Sequence, residues 1–132
     1  MPGLDGTTLP RLRPFPDDLK AKLAASDARG KIVIASSGTV NATDFDDLTV
    51  IADICAAYGA WLHVDAAFGM FAALDDRRSH LLAGLDRSDS ITSDGHKWLN
   101  VPYDCGIFLT RHIGVLEKCC RAFAPYLDTK AE

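Results

Sequence analysis

The chain alternates short β-branched runs with stretches of helical period. Residues 1–15 carry three prolines and two glycines and read as an irregular lead-in. Pro16-Asp17-Asp18 then opens a short helix: proline suits the first turn, and the carboxylates face the positive end of the helix dipole. Leu19 and Leu23 share one side of it, and Gly30 stops the segment. Residues 31–35 (KIVIA) form a continuous apolar run, the pattern of a strand covered on both faces. Residues 36–43 (SSGTVNAT) read as a turn-rich loop. Thr43 or Asp44 is placed to cap the next helix, with Asp46 and Asp47 in its first turn. That helix carries Leu48, Ile51, Ile54, Cys55 and Tyr58 at the 3.6-residue period and ends at Gly59.

Residues 61–64 make a second strand that ends at Asp65, and residues 70–86 read as mostly helical, with Leu81, Leu82 and Leu85 on one side. Residues 90–93 and 106–110 supply a third and a fourth strand, and residues 113–122 a last helix. The first two connections between strands bear helical pattern and are long enough for right-handed βαβ crossovers. The link from Ser93 to Cys105 contains Gly95 and Pro102 and no helical period, so the fourth strand is expected to run antiparallel to the third. The expected fold is α/β: a mostly parallel open sheet of about four strands with an antiparallel last strand and helices on both faces.

Composition narrows the class. The 132 residues suit one domain, and 48% apolar with 24% charged residues is ordinary for a globular chain. A net charge of −4 gives no support for a nucleic-acid or polybasic membrane surface. No apolar run approaches the roughly 20 residues that span a bilayer. The first residues lack the apolar core of a signal peptide, so a cytoplasmic setting is expected. Cys55, Cys105, Cys119 and Cys120 match no zinc spacing, so no metal is expected, and they read as reduced packing or surface thiols.

In open α/β sheets, ligands bind beyond the carboxyl ends of the parallel strands. Here those ends hold residues 36–41, 65–69 and 94–98. A lone Asp65 is as easily a turn or cap residue, and an isolated Lys97 is ordinarily a solvated charge. Parallel neighbours, however, would bring Asp65 and Lys97 to one edge. Two chemistries then stand open: a structural salt bridge, or a Schiff-base lysine with a carboxylate tuning a bound cofactor.

The local sequence is more specific. Trp61-Leu62-His63-Val64-Asp65-Ala66-Ala67-Phe68-Gly69, then Asp94-Gly95-His96-Lys97-Trp98-Leu99 and Pro102-Tyr103-Asp104-Cys105, closely resemble the pyridoxal-phosphate-dependent group II amino-acid decarboxylases of fold type I. The likeness extends from about Gly3 to Leu127 and includes Gly38 to Asn41 and Phe45-Asp46. It implies pyridoxal 5'-phosphate as cofactor and the central part of a cofactor-binding large domain as fold. Lys97 would be the amine that joins the cofactor aldehyde, and Asp65 the partner of the pyridine nitrogen. Ala67 would pack on a ring face, and His96 would reach the phosphate or the reacting bonds. Thr39, Asn41 and Ser93 would be further cofactor contacts, whereas Asp94 is set aside as a poor phosphate ligand. Thr43 stands where many relatives have glycine.

The implied reaction is decarboxylation of a small-molecule amino acid by a homodimeric enzyme. Transamination or another carbon–carbon cleavage remains open on the same scaffold. Family members are several-fold longer, so residues 1–132 are expected to be a truncated part of the large domain, with residues 113–132 leading toward an absent C-terminal domain and with no activity alone. A non-catalytic remnant that binds a partner, and a binding module holding an Asp65–Lys97 salt bridge, are the other readings. His63 and Trp98 read as packing residues, Tyr103 and Asp104 as shaping the turn into the last strand, and His80 and His112 as surface residues without partners.

Overall fold

The computed structural model describes residues 16–120; the irregular lead-in at 1–15 and residues beyond 120 lie outside the described residues. Helix α1 (Pro16–Ala25) precedes strand β1 (Ile32–Ser36), helix α2 (Leu48–Tyr58) and strand β2 (Trp61–Asp65). Strand β3 (Ser90–Asp94) runs directly into a single helical turn, α3 (Gly95–Trp98), followed by β4 (Gly106–Thr110) and α4 (Ile113–Cys120). The strands lie in the order β1-β2-β3-β4, with β1–β2 and β2–β3 parallel and β3–β4 antiparallel. The link between β3 and β4 does hold one helical turn, α3, against expectation, but it is too short for a parallel crossover, and β4 reverses.

Register sorts the side chains onto two faces. Val33, Ala35, Leu62 and Val64 point to one face and are buried against Leu48, Ile51, Ala52, Ile54 and Cys55 of α2, with Leu23 of α1 beside them. The other face carries Ile32, Ile34, Trp61, His63, Asp65, Thr92, Asp94 and Phe108. The expectation that β1 is covered on both faces is corrected here among the described residues. Ile32 and Ile34 are 71% and 66% exposed, because α1 and α2 both pack on the Val33 side. An all-apolar strand therefore has one face covered and one bare among the described residues.

Three further local expectations change. The cap of α2 is Asp47, whose side chain accepts from Val50 N at 3.1 Å, not Thr43 or Asp44. Asp46 is drawn away to accept from Ser36 N at 2.7 Å, and Asp44 is bonded back to Thr39, so the chain cannot turn helical before Leu48. Residues 70–86 form short 3-10 turns (Met70–Leu74, Ser79–Leu82, with Leu85–Arg87 after them) and no regular helix. Asp75 folds back on Arg77 and Arg78, and Gly84 takes φ 90, both of which break an i→i+4 ladder. His112 does have a partner: its Nε2 lies 2.7 Å from Asp89 Oδ1 and its ring 4.8 Å from that of Trp61. Among the described residues no helix is long and apolar enough to cross a membrane.

Candidate active site

Two loops meet at the carboxyl ends of β1 and β2. Gly38, at φ 81, lies so close to the turn after β2 that a Cβ on it would stand 2.8 Å from Gly69 N. A Cβ on Gly69 would stand 2.3 Å from Ser37 O, inside any real contact. Both positions therefore need glycine, one of them for its left-handed conformation as well. Ser37 N donates to Asp65 O at 2.8 Å and Ala66 N to Thr92 O at 2.9 Å, so the backbone ties all three parallel strand ends together. Thr43 holds φ 50, an uncommon conformation for a β-branched residue.

Asp65 ends β2 with its side chain exposed, and Oδ1 accepts from Ala67 N at 3.1 Å. This Asx turn points Ala67, half-buried, along the same edge. Lys97 lies on α3, where its Nζ is 2.7 Å from Asp94 Oδ2 and 3.9 Å from the centre of the Phe68 ring. Parallel pairing of β2 with β3 thus brings the acid and the amine to one edge. The ion pair of Lys97 nevertheless runs to Asp94 rather than to Asp65. The Lys97 hydrogen bond holds the Asp94 carboxyl below the usual carboxylate range.

His96 is engaged in the backbone. Cys105 N donates to its Nδ1 at 3.2 Å, while Cys105 O accepts from Gly95 N at 2.9 Å. Nδ1 lies equally 3.2 Å from Cys105 O, so the Cys105 backbone serves either tautomer, and Nε2 faces Asp94 Oδ2 at 3.6 Å. The ring also lies 4.0 Å, centre to centre, from Tyr103, so His96 pins the 99–105 loop onto the Lys97 turn.

The remaining expected residues separate. Thr39 spends its hydroxyl on Asp44 N at 3.1 Å inside its own loop, and Asn41 is exposed in the same loop. Ser93 is 2% exposed, and strand alternation puts it on the sheet face opposite to Asp65 and Asp94. The Ser93 and Ser37 hydroxyls are buried without a hydrogen-bond partner among the described residues. His63 is packed, with Nδ1 2.8 Å from Ser90 Oγ, and Trp98 is largely exposed. Hollows of about 570 and 530 Å3 lie beside Asp44–Val50 and beside Trp61–His112, and neither is lined by Asp65 or Lys97.

Sequence reasoning missed Asp94 and Phe68. The i, i+3 spacing of Asp94 and Lys97 was a usable signal, but it becomes one only when residues 95–98 are seen as a helical turn. Phe68 had no local signal, since its contact with Lys97 crosses from one strand end to the next.

Residues 9–132 match the family model of the pyridoxal-dependent decarboxylase conserved domain. An aromatic-L-amino-acid decarboxylase of Bacillus atrophaeus is 39% identical over 112 residues, covering 83% of this chain and 23% of that protein. The cysteine sulfinic acid decarboxylase of Rattus norvegicus is 38% identical over 117 residues, covering 86% of this chain and 24% of its own length. Among solved structures, Oryza sativa TDC with PLP and tryptamine superposes with TM-score 0.81 at 30% identity, over 90% of this chain and 25% of that one. Mouse CSAD in its apo form gives TM-score 0.77 at 36% identity, over 91% of this chain and 26% of that one. The chain spans about a quarter of the length of the curated relatives it matches.

Proposed function

The chain belongs to the pyridoxal-dependent decarboxylase family, and from that premise we propose that it carries the lysine-bearing part of a cofactor domain whose whole protein decarboxylates an amino acid. Pyridoxal 5'-phosphate is the cofactor that membership implies. The donor set fits it: a primary amine, an exposed carboxylate with acceptor capacity left over, and the small Ala67 converge on one sheet edge. The observation that carries the reading is this convergence, produced by parallel pairing of Asp65 beside Thr92 and by the turn that follows Asp94.

When bound, the cofactor supplies an aldehyde for an amine to join and a ring that accepts the electron pair left as carbon dioxide departs. Lys97 would be the amine that holds the cofactor. Asp65 would accept a hydrogen bond from the ring nitrogen and so favour its protonated form, and Ala67 would leave room for a flat ring. His96 positions the Lys97 turn from beneath through its bond to Cys105. Thr39, Asn41 and Ser93 are secondary contacts in this reading.

The relatives named above act on aromatic amino acids and on cysteine sulfinic acid, which supports an amino-acid substrate. A further solved neighbour, Rhodiola rosea 4-hydroxyphenylacetaldehyde synthase at 28% identity and TM-score 0.68, shows the scaffold under another reaction name. The second reading is therefore a different reaction on the same substrate class. A homodimer and a cytoplasmic setting belong to the proposal; the free state of Cys55, Cys105, Cys119 and Cys120 supports the latter.

The test adds pyridoxal phosphate to the 132-residue chain and follows Schiff-base absorbance, then fixes the adduct with borohydride and maps it by mass spectrometry. Label on Lys97 that Lys97→Ala loses is the expected result; equal uptake by both proteins removes Lys97 from its role. Carbon dioxide release from a panel of amino acids is expected to be negligible for the 132 residues alone, and robust turnover would overturn that part.

A further inference from the structure

Lys97 is held from two sides by groups on two different strand ends. Asp94, which closes β3, puts Oδ2 2.7 Å from Nζ. Phe68, from the turn after β2, puts its ring centre 3.9 Å from the same nitrogen. Both neighbours favour one state of the amine. A carboxylate and the negative face of an aromatic ring attract an ammonium far more strongly than a neutral amine.

The surrounding titratable groups do not offset them. His96 Nε2 stands 3.6 Å from the same Asp94 oxygen, so it faces the carboxylate and not the amine. Asp65, on the adjacent strand end, turns Oδ1 onto Ala67 N. Tyr103 and Cys105, from the following loop, are occupied with the His96 ring and backbone. Among the described residues Asp94 is thus the anion in contact with Lys97. It carries no cap bond to the turn it precedes, although it stands at the capping position.

We infer that Asp94 and Phe68 park Lys97 as a charged amine, so that a carbonyl compound meets a reactive nitrogen only once the Asp94 contact opens. The inference rests on the reading of Lys97 as the reactive amine. Joining an aldehyde needs the nitrogen lone pair. The ammonium first gives one proton to solvent, and nitrogen then bonds to the carbonyl carbon as the π pair moves to oxygen. That oxygen finally leaves as water, carrying the two remaining amine protons. Asp94 opposes the first of these events. Its Oδ2 accepts a hydrogen bond from Nζ at 2.7 Å, and that bond must open before the nitrogen is free to attack. Asp94 and Phe68 are positioning residues here, and the site is latched rather than open.

Reductive methylation with formaldehyde and cyanoborohydride tests this without the cofactor. The 132-residue chain is labelled from neutral to alkaline pH and each lysine is read by mass spectrometry. Asp94→Asn is expected to speed Lys97 labelling at neutral pH about fivefold relative to Lys20. Phe68→Leu should speed it about twofold. Lys31, whose Nζ donates to Leu23 O at 2.9 Å, reports on the fold; if Asp94→Asn loses its protection, Phe68→Leu decides the outcome. An unchanged Lys97 to Lys20 ratio in the folded variant overturns the latch. Pyridoxal phosphate trapping separates the two claims. Trapping at Lys97 with no shift in methylation sinks the latch alone, whereas a methylation shift with no trapping at Lys97 sinks the functional reading alone.

Discussion

At the amino end of the sheet Asp89 has every oxygen engaged, while at the carboxyl end Asp65 uses one carboxylate oxygen on the turn beside it. Asp89 accepts from Leu62 N at 2.8 Å and meets His112 Nε2 at 2.7 Å, and its carbonyl receives the Thr110 hydroxyl at 2.8 Å. Next to it Ser90 receives Trp61 Nε1 at 2.8 Å and faces His63 Nδ1 at 2.8 Å. Trp61 Nε1 can only donate, so Ser90 Oγ accepts from it and ties Trp61 and His63 into one network. The carboxyl end differs on each count. Asp65 is exposed, Ser37 and Ser93 keep buried hydroxyls without partners among the described residues, and Lys97 is held by a neighbour it could exchange. A saturated network stabilises the fold and buried hydroxyls without partners cost stability, whereas the exposed spare acceptor of Asp65 remains available to a ligand.

Gly69→Ala should break this division most severely, because its Cβ would stand 2.3 Å from Ser37 O. A loss of about 3 kcal/mol or more in urea unfolding is expected, and a loss below about 1 kcal/mol would show that the two loops can part freely. Asp89→Ala comes next. It leaves Leu62 N, in a buried strand, without its acceptor and frees His112, so unfolding should become easier by about 2 kcal/mol while labelling of Lys97 stays as in the native chain.

Asp65→Ala is the mirror of that change. Removal of one exposed turn bond should shift stability by about 0.5 kcal/mol, yet cofactor absorbance should be lost; a stable variant that binds pyridoxal phosphate normally would remove the contrast between the two ends. The smallest effect belongs to neither end. Asp75, in the 3-10 turn region, is held down to about 2, first by the Arg77 side-chain hydrogen bond and then by the Arg77 backbone. Its folded value lies below the unfolded carboxylate range of about 4, so its contribution is present above that range and fades as pH falls toward about 2. An acid titration of Asp75→Asn should show a slightly flatter decline than the native chain across that interval.

How much of this was legible can be read residue by residue. The apolar run at 31–35, the stripe from Leu48 to Tyr58 and the short link before Cys105 led to β1, α2 and the antiparallel last strand, because each is a local pattern that a short segment must obey. The segment 70–86 misled because its leucines carry helical spacing while Asp75 and Gly84 override it with turn chemistry. His112 gave no signal at all, since Asp89, just before β3, lies 23 residues away along the chain. In the candidate site, Asp65 and Lys97 were visible as paired motifs, whereas the Phe68 contact was not.

By itself the sequence determined the four strands and the helices α1, α2 and α4, that the parallel strand ends carry an acid and an amine, and to which family those motifs belong. Periodicity, capping and turn chemistry act over a few residues, so the chain order contains them. Only the tertiary structure decided that Asp94, not Asp65, holds Lys97, that Gly69 and Ser37 touch, and that one face of β1 stays bare. Those outcomes depend on strand register and on which side of the sheet each crossover packs. Both are set when residues distant along the chain close on one another, and no short-range pattern encodes them.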